Sequence, residues 1–197
     1  MDLLLWRCAE TAKPDDPDVG DTLKTPLSER GRKRSQKIAR WLRDHQPKGL
    51  QVFASPATAT VEMARMVCRK SQVDRRLGPD AGAADVLGVI GWPDEHPAAL
   101  VIGHQPALGA IASLLLAGAE AQWTVKKGAI WWFSNRTRAG ETQTVLRAVL
   151  SPEMLREAVD ECVETVPSPP EHRLVLGIPQ LMPDIEAIVM RNVLNHA

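Results

Sequence analysis

The first residues of this sequence that could carry out chemistry are Arg7, Cys8 and Glu10, which follow the apolar run 3–6. A guanidinium can bind an anion, a thiolate can act as a nucleophile, and a carboxylate can transfer a proton. An apolar run of this kind is typical of a buried strand, and open α/β sheets bind ligands at the carboxyl ends of their strands. The segment therefore predicts an active site, with an ordinary polar loop after a first strand as the alternative.

Two further polar turns also follow apolar segments. Ser55-Pro56 comes after the segment 50–54, and His104 follows the segment 98–102 after one glycine. Both segments are predicted as buried strands, and each turn leads into a predicted helix, whose first turn suits a proline. Ser55 either caps its helix or makes a hydrogen bond at the edge of the site, and capping is the preferred interpretation.

Predicted strands and helices alternate through the first two-thirds of the chain. Helices are predicted after the N-cap Ser28 and over 57–69, 83–90 and 107–117, and two late strands over 130–133 and 144–149. This alternation predicts right-handed crossovers and a mostly parallel sheet with helices on both faces, which is a three-layer α/β/α sandwich. Trp131 and Trp132 are adjacent in a predicted strand, so their rings should point to opposite faces. One should lie in the core, and the other is either covered by the C-terminal appendage, which we expect, or exposed as a contact patch.

The chain is predicted to form one domain over residues 1–156 with a helical C-terminal appendage over 157–197. Residues 13–26 are rich in Pro, Asp and Gly and predict a loop, and helices are predicted over 151–166 and 184–195. The last of these helices carries an apolar stripe, which packs either on its own domain or on a partner. We expect packing on the same domain, and the alternative would make the appendage a protein-interaction module.

The overall composition excludes several functional classes. Lys plus Arg and Asp plus Glu are 24 each, so the net charge is zero, which argues against a general nucleic-acid or membrane-surface binder. The three cysteines form no CxxC pair, so neither a disulfide framework nor a zinc site is predicted, and a reduced, cytoplasmic setting is the simplest expectation. The histidines lack metal-ligand spacing, and no segment approaches the length of a membrane span.

Four motifs in chain order resemble those of the histidine phosphatase superfamily, which has the phosphoglycerate-mutase-like fold. The family motifs are Arg-His-Gly (or Ala), Leu-Thr-x-x-Gly, Ser-Pro-x-x-Arg-Ala-x-Gln-Thr-Ala and Gly-His-x-Pro. The corresponding segments here are Arg7-Cys8-Ala9-Glu10, Leu27-Ser28-Glu29-Arg30-Gly31, residues 55–64 and Gly103-His104-Gln105-Pro106. In length and layout, the SixA-type phosphohistidine phosphatases are the most similar members.

The resemblance implies an activity on phosphate groups that needs no metal or cofactor. It implies that Arg7, His104 and Ser55 bind the phosphoryl group, with Cys8, His104 and Glu10 in catalytic positions. The expected partner is phosphate or a phosphorylated small molecule or protein. The sequence does not indicate the oligomeric state.

Two departures from the family pattern weaken the expectation of catalysis. Cys8 stands where the family has its nucleophilic histidine, and Ala59 stands where it has a second phosphate-binding arginine. Phosphoryl transfer needs an in-line nucleophile and cations around the equatorial oxygens, and misplacement by ~1 Å can cost about 100-fold in rate. We therefore expect a degenerate domain that binds anions with weak or absent phosphatase activity. The alternatives are a phosphatase with Cys8 as its nucleophile and an interaction module.

Overall fold

A computed structural model describes residues 1–12, 23–138 and 141–155 of the chain. The strands are Asp2–Arg7 (β1), Leu50–Ala54 (β2), Gln72–Val73 (β3), Ala98–Gly103 (β4), Ile130–Arg138 (β5) and Glu141–Leu150 (β6). The helices are Glu29–His45 (α1), Thr58–Val67 (α2), Ala83–Val89 (α3) and Ala107–Ala117 (α4), with 3₁₀ turns at Arg75–Leu77 and Pro152–Met154. Most of the predicted loop over 13–26 and the whole appendage over 157–197 lie outside the described residues, so both stay predictions.

The six strands form one mixed sheet in the order β3-β2-β4-β1-β5-β6. The first four strands in this order pair in parallel, whereas β5 runs antiparallel to β1 and forms a hairpin with β6. The predicted α/β fold with helices on both faces of a sheet is confirmed. Short helical crossovers explain the parallel part, because parallel neighbours cannot be joined by a tight turn.

Residues of β1 alternate between the two cores of the sheet. Leu3 and Leu5 pack with residues of α3 and α4, whereas Leu4 and Trp6 pack with residues of α1 and α2 on the opposite face. All four side chains are fully buried, and burial of such a side chain stabilises the fold by about 1.5–3 kcal/mol. The sequence of β1 is a continuous apolar run because helices cover both of its faces.

The two adjacent tryptophans of β5 point to opposite faces, as predicted. Trp131 packs beside Phe133, whereas Trp132 belongs to the core that contains α1 and α2. The Trp41 ring meets the edge of Trp132, and the guanidinium carbon of Arg147 lies 4.6 Å from a Trp132 ring centroid. Side chains of the described residues therefore contact both tryptophans, and the predicted cover by the appendage lies outside that part of the chain.

The register of the central strands brings their ends to one edge of the sheet. Arg7 is opposite Gly103, and Ala54 is opposite Ile102. Ile130, the first residue of the antiparallel β5, is opposite Trp6. The turns after β1, β2 and β4 and the loop before β5 therefore meet at the same edge.

The segment after β1 docks against the beginning of α1. The Ser28 hydroxyl caps α1 by accepting from the Gly31 N–H at 3.0 Å, so the predicted N-cap is confirmed. The Ser28 N–H and hydroxyl also donate to the Glu10 carbonyl oxygen, at 2.9 and 3.0 Å. A Cβ on Gly31 would lie 2.0 Å from that oxygen, so only glycine allows this approach. The segment 27–31 thus positions the residues that follow Arg7.

One predicted helix differs from the structure. The α-helix predicted over 151–166 differs at its beginning, where the structure has a 3₁₀ turn over Pro152–Met154 and an extended Leu155, and the rest of that helix lies outside the described residues. The turn is held in place by tertiary contacts, since the Glu153 carboxylate pairs with Lys126 at 3.1 Å and with Arg34. These contacts come from distant parts of the chain, which explains why helical propensity alone predicted the wrong element here.

Candidate functional site

Four predicted residues converge where the parallel strands end, and we call Arg7, Cys8, Ser55 and His104 the strand-end site. Backbone hydrogen bonds fix the two turns that carry Cys8 and Ser55. The Cys8 N–H donates to the Gly103 carbonyl oxygen at 2.8 Å. The Ser55 N–H donates to the carbonyl oxygen of Ile102, the residue before Gly103 in β4, at 3.0 Å. The strand pairing therefore continues into the turns, which holds their side chains beside one another.

Arg7 provides a fixed cation at the strand-end site. Its Nη1 donates to the Val125 carbonyl oxygen, which orients the guanidinium. Burial lowers the pKa of Arg7, although an arginine stays protonated at neutral pH. Arg7 makes no ion pair with Glu10 among the described residues, because the Glu10 carboxylate pairs with Arg34 instead.

Cys8 is half-buried, and its thiol is surrounded by charges of both signs. Burial raises the pKa of the Cys8 thiol to about 11. The positive charges of Lys127 and Arg7 lower this pKa, and the carboxylates of Glu10 and Glu62 add to the rise. Burial outweighs the two cations, so the Cys8 thiol is protonated at neutral pH. A protonated thiol is a poor nucleophile.

His104 and Ser55 make direct contact. The His104 Nε2 lies 2.9 Å from the Ser55 Oγ, and the hydroxyl also accepts from the Ala57 N–H at 3.3 Å. Burial and the nearby charge of Arg7 both lower the pKa of His104, so its ring is neutral at neutral pH. The strand-end site therefore presents a neutral imidazole beside a guanidinium.

The preferred assignment of Ser55 as a helix cap is wrong. Helix α2 begins at Thr58, and Ala57 is its N-cap residue with no side-chain capping bond. The Ser55 side chain is fully buried under His104. A tight Ser-Pro turn separates the serine from the helix, so its hydroxyl is used to hold the imidazole.

The Glu10 carboxylate is engaged in an ion pair, so it is not available as an acid or a base. Its Oε1 accepts from Arg34 Nη1, and its Oε2 is buried and makes no hydrogen bond within the part of the chain that the structure describes. The other terminal nitrogen of Arg34 donates to Glu153, which also pairs with Lys126. Glu10 thus belongs to an ionic network that links the turn after β1 to α1 and to the 3₁₀ turn after β6.

The position that the family motif assigns to a second arginine is filled by a small core residue. Ala59 is buried in the apolar core that contains Trp6 and Met63. Arg65, the nearest arginine on the same helix, is exposed in its last turn. Helix α2 therefore supplies no cation at the position of Ala59.

One cation near the strand-end site was missed in the sequence. Lys127 lies in the loop 125–129 that precedes β5, and it is the charged residue that acts most strongly on the Cys8 thiol. The loop reaches the site because the antiparallel β5 begins where the parallel strands end. The sequence signal was a Lys-Lys-Gly turn before a strand, but its position depends on the direction of that strand.

The described residues provide neither a metal site nor a membrane segment. No three His, Cys, Asp or Glu side chains in this part of the chain come together as a metal ion requires. No helix among the same residues is long and apolar enough to cross a membrane.

Comparison with known proteins supports both the resemblance and the fold. Residues 3–80 match the model of the histidine phosphatase superfamily (branch 1). This match includes the segments around Arg7 and Ser55 and ends before His104. A search of curated proteins found no match to the chain.

Three solved structures share the fold at low sequence identity. The protein histidine phosphatase SixA complexed with tungstate has a TM-score of 0.64 at 21% identity, over 79% of this chain and all of that chain. A protein described as the phosphohistidine phosphatase SixA from Nakamurella multipartitia has a TM-score of 0.60 at 22% identity, over 77% of this chain and 95% of that chain. A phosphoserine phosphatase mutant from Entamoeba histolytica in complex with phosphoserine has a TM-score of 0.54 at 13% identity, over 79% of this chain and 99% of that chain. The predicted resemblance to the histidine phosphatase superfamily and its phosphoglycerate-mutase-like fold are confirmed.

Proposed function

We propose that this protein binds phosphate groups at the strand-end site and hydrolyses phosphoesters weakly or not at all. Arg7 supplies a charge-assisted hydrogen-bond donor, and the neutral imidazole of His104 contacts the phosphoryl oxygens. Ser55 acts through His104, because its buried hydroxyl already meets the ring at 2.9 Å. The SixA structure that shares this fold contains tungstate, a tetrahedral oxyanion of the same class as phosphate.

The observation that carries this proposal is the state of Cys8. Phosphoryl transfer needs an activated nucleophile in line with the leaving group. The pKa of the Cys8 thiol is raised to about 11, and the thiol lies 3.6 Å from the Ala9 carbonyl oxygen, the acceptor toward which it donates. The nearby carboxylate of Glu10 is paired with Arg34. A protonated thiol is suited to packing beside an anion and poorly suited to attack on it.

One observation favours a second function, hydrolysis through a Cys8 thiolate. Two cations, Lys127 and Arg7, lower the pKa of this thiol. In this alternative the thiolate attacks phosphorus, the ester P–O bond breaks, and water then hydrolyses the S–P bond. We favour binding over hydrolysis because burial raises the pKa of the Cys8 thiol by more than the two cations lower it.

The test combines binding and turnover on the full chain. Isothermal titration with inorganic phosphate and turnover of p-nitrophenyl phosphate and a phosphohistidine peptide are measured for the wild type, Arg7→Gln and Cys8→Ala. We expect phosphate binding in the wild type, a loss of about tenfold or more in Arg7→Gln, and background turnover that Cys8→Ala leaves unchanged. Arg40→Gln is a control, because Arg40 is exposed on α1.

Two results would overturn the proposal. A wild type that fails to bind inorganic phosphate would remove the binding function. Wild-type turnover that disappears in Cys8→Ala would establish the cysteine-dependent phosphatase instead.

A gain of turnover in Cys8→His, alone or with Ala59→Arg, would support loss of an ancestral activity. The thermal unfolding of the double variant is measured as well, because Ala59 is buried in the apolar core and an arginine there could destabilise the fold.

A further inference from the structure

We propose that Lys127 is the second cation that contacts a phosphate bound at the strand-end site. This inference rests on the proposed function, and it assigns a ligand-binding role to the loop 125–129. The ligand class is a tetrahedral oxyanion with two negative charges, such as inorganic phosphate or a phosphomonoester. Such a ligand needs more than the single charge of Arg7 for tight binding.

The loop 125–129 is fixed against the end of β1. The Arg7 N–H donates to the Ala129 carbonyl at 3.0 Å, and the Gly128 N–H donates to the Arg7 carbonyl at 3.1 Å. The Trp6 indole nitrogen donates to the Gly128 carbonyl at 3.0 Å, and Arg7 Nη1 donates to the Val125 carbonyl. These four bonds hold the backbone on both sides of Lys127 beside the residue that precedes Cys8.

The segment that leads to this loop is also anchored. The Gln105 side-chain amide donates to the Trp123 carbonyl oxygen at 2.8 Å. A Cβ on Gly109 would lie 1.8 Å from the same oxygen, so the segment lies directly on the first turn of α4. Gly128 has a φ of +73°, which an L residue rarely adopts, and this turns the chain into β5. The position of Lys127 is therefore set by the fold at both ends of the segment.

The two adjacent lysines of the loop have different surroundings. The Lys126 ammonium pairs with Glu153 at 3.1 Å. Glu153 also pairs with Arg34, so Lys126 belongs to the same ionic network. Lys127 is exposed, and no carboxylate of the described residues forms an ion pair with it. Its charge acts on the Cys8 thiol more strongly than that of Arg7 does. Within the described part of the chain, Lys127 thus carries an unpaired charge on a loop whose backbone is bonded directly to Arg7.

The other charges around Cys8 are already neutralised by partners. Glu10 pairs with Arg34, and Glu62 pairs with Arg32 at 3.0 Å. The imidazole of His104 is neutral because of its lowered pKa. Among the charges that act on the Cys8 thiol, the positive charge available to an anion therefore comes from Arg7 and Lys127.

The test compares Lys127→Gln with Lys126→Gln, which removes the same charge from the neighbouring residue. Inorganic phosphate binding is measured by isothermal titration at two salt concentrations, with Lys127→Arg as the conservative variant. We expect Lys127→Gln to weaken binding about tenfold and to reduce its salt dependence, Lys126→Gln to change it by less than about twofold, and Lys127→Arg to retain it.

A second measurement reports on the position of Lys127 without a bound anion. In a background that lacks the other cysteines, the pH dependence of Cys8 alkylation by iodoacetamide is followed in the same variants. We expect Lys127→Gln to shift the alkylation profile to higher pH and Lys126→Gln to leave it in place, because loss of the nearer charge raises the pKa of Cys8.

The outcomes separate the two proposals. Phosphate binding in the wild type that Lys127→Gln and Lys126→Gln weaken equally would overturn the role of Lys127 and leave the proposed function intact. No phosphate binding by the wild type would overturn both. An unshifted alkylation profile in Lys127→Gln would show that its ammonium does not reach the strand-end site, which also overturns the assignment.

Discussion

The Nε2 of His104 lies 2.9 Å from the Oγ of Ser55, and this contact joins the turns after β4 and β2. Both residues follow strands that pair directly in the sheet, so the contact depends on their register. The hydroxyl is fully buried and also accepts from the Ala57 N–H. This arrangement fixes the imidazole plane relative to Arg7, and it accounts for a serine at the end of β2.

Ser55→Ala is expected to weaken phosphate binding through its effect on His104. Removal of the hydroxyl leaves a ring nitrogen and the Ala57 N–H without a partner, which should destabilise the fold by about 1–3 kcal/mol. We expect a phosphate affinity lower by about threefold to tenfold, measured by isothermal titration. The His104 ring ¹⁵N signals should report a changed tautomer or hydrogen bond.

Ser113→Ala is the matched control, since Ser113 is another fully buried serine that bonds backbone groups of α4 and the following loop. It should lose stability and keep its phosphate affinity. Equal effects of the two variants on affinity would contradict the positioning role of Ser55.

The raised pKa of Cys8 predicts slow alkylation at neutral pH. The thiolate reacts with iodoacetamide and the thiol does not, so the rate should rise steadily from pH 8 toward the pKa of about 11. The measurement uses mass spectrometry on a variant in which Cys8 is the remaining cysteine. A rate that already levels off below pH 8 would contradict the raised pKa and would favour the cysteine-dependent phosphatase.

The lowered pKa of His104 predicts a loss of stability on acidification. Below the unfolded pKa of about 6.5, the unfolded chain binds a proton that the folded ring resists, so unfolding takes up protons and the free energy of unfolding falls. Urea unfolding from pH 8 to pH 5 should show this decrease in the wild type and a smaller one in His104→Asn. Identical pH profiles for the two proteins would show that burial of the ring does not shift its pKa.

The ion pair between Glu10 and Arg34 is expected to stabilise the turn that carries Cys8. The Arg34 side chain is 12% exposed, and the Glu10 side chain is 27% exposed. Arg34→Met leaves a partly buried carboxylate without its cation, and we expect a loss of about 1–3 kcal/mol in the free energy of unfolding. A double-mutant cycle with Glu10→Gln measures the coupling between the two residues.

Arg32→Met on the same helix is the control, because the Arg32 side chain is 47% exposed and its pair with Glu62 should contribute at most about 1 kcal/mol. A coupling energy near zero for Glu10 and Arg34 would contradict the role of the network.

The sequence alone determined most of the described elements and most of the strand-end site. Apolar runs are strong local signals, so β2 and α4 were predicted with the bounds that the structure has. The rule that parallel strands end at a common edge then brought Arg7, Ser55 and His104 together, and motif order indicated the resemblance to the histidine phosphatase superfamily. The interpretation of Cys8 and Ala59 as departures from the family motif comes from the same comparison of residue types, and it stays a prediction.

The tertiary structure decided which partners these residues have. Arg34 rather than Arg7 pairs with Glu10, and Ser55 holds His104 in place of capping a helix. Lys127 reaches the site because β5 runs antiparallel to β1, a direction that no local pattern specifies. All three outcomes depend on strand order and on contacts between distant segments, whereas composition and periodicity carry information about near neighbours in the chain.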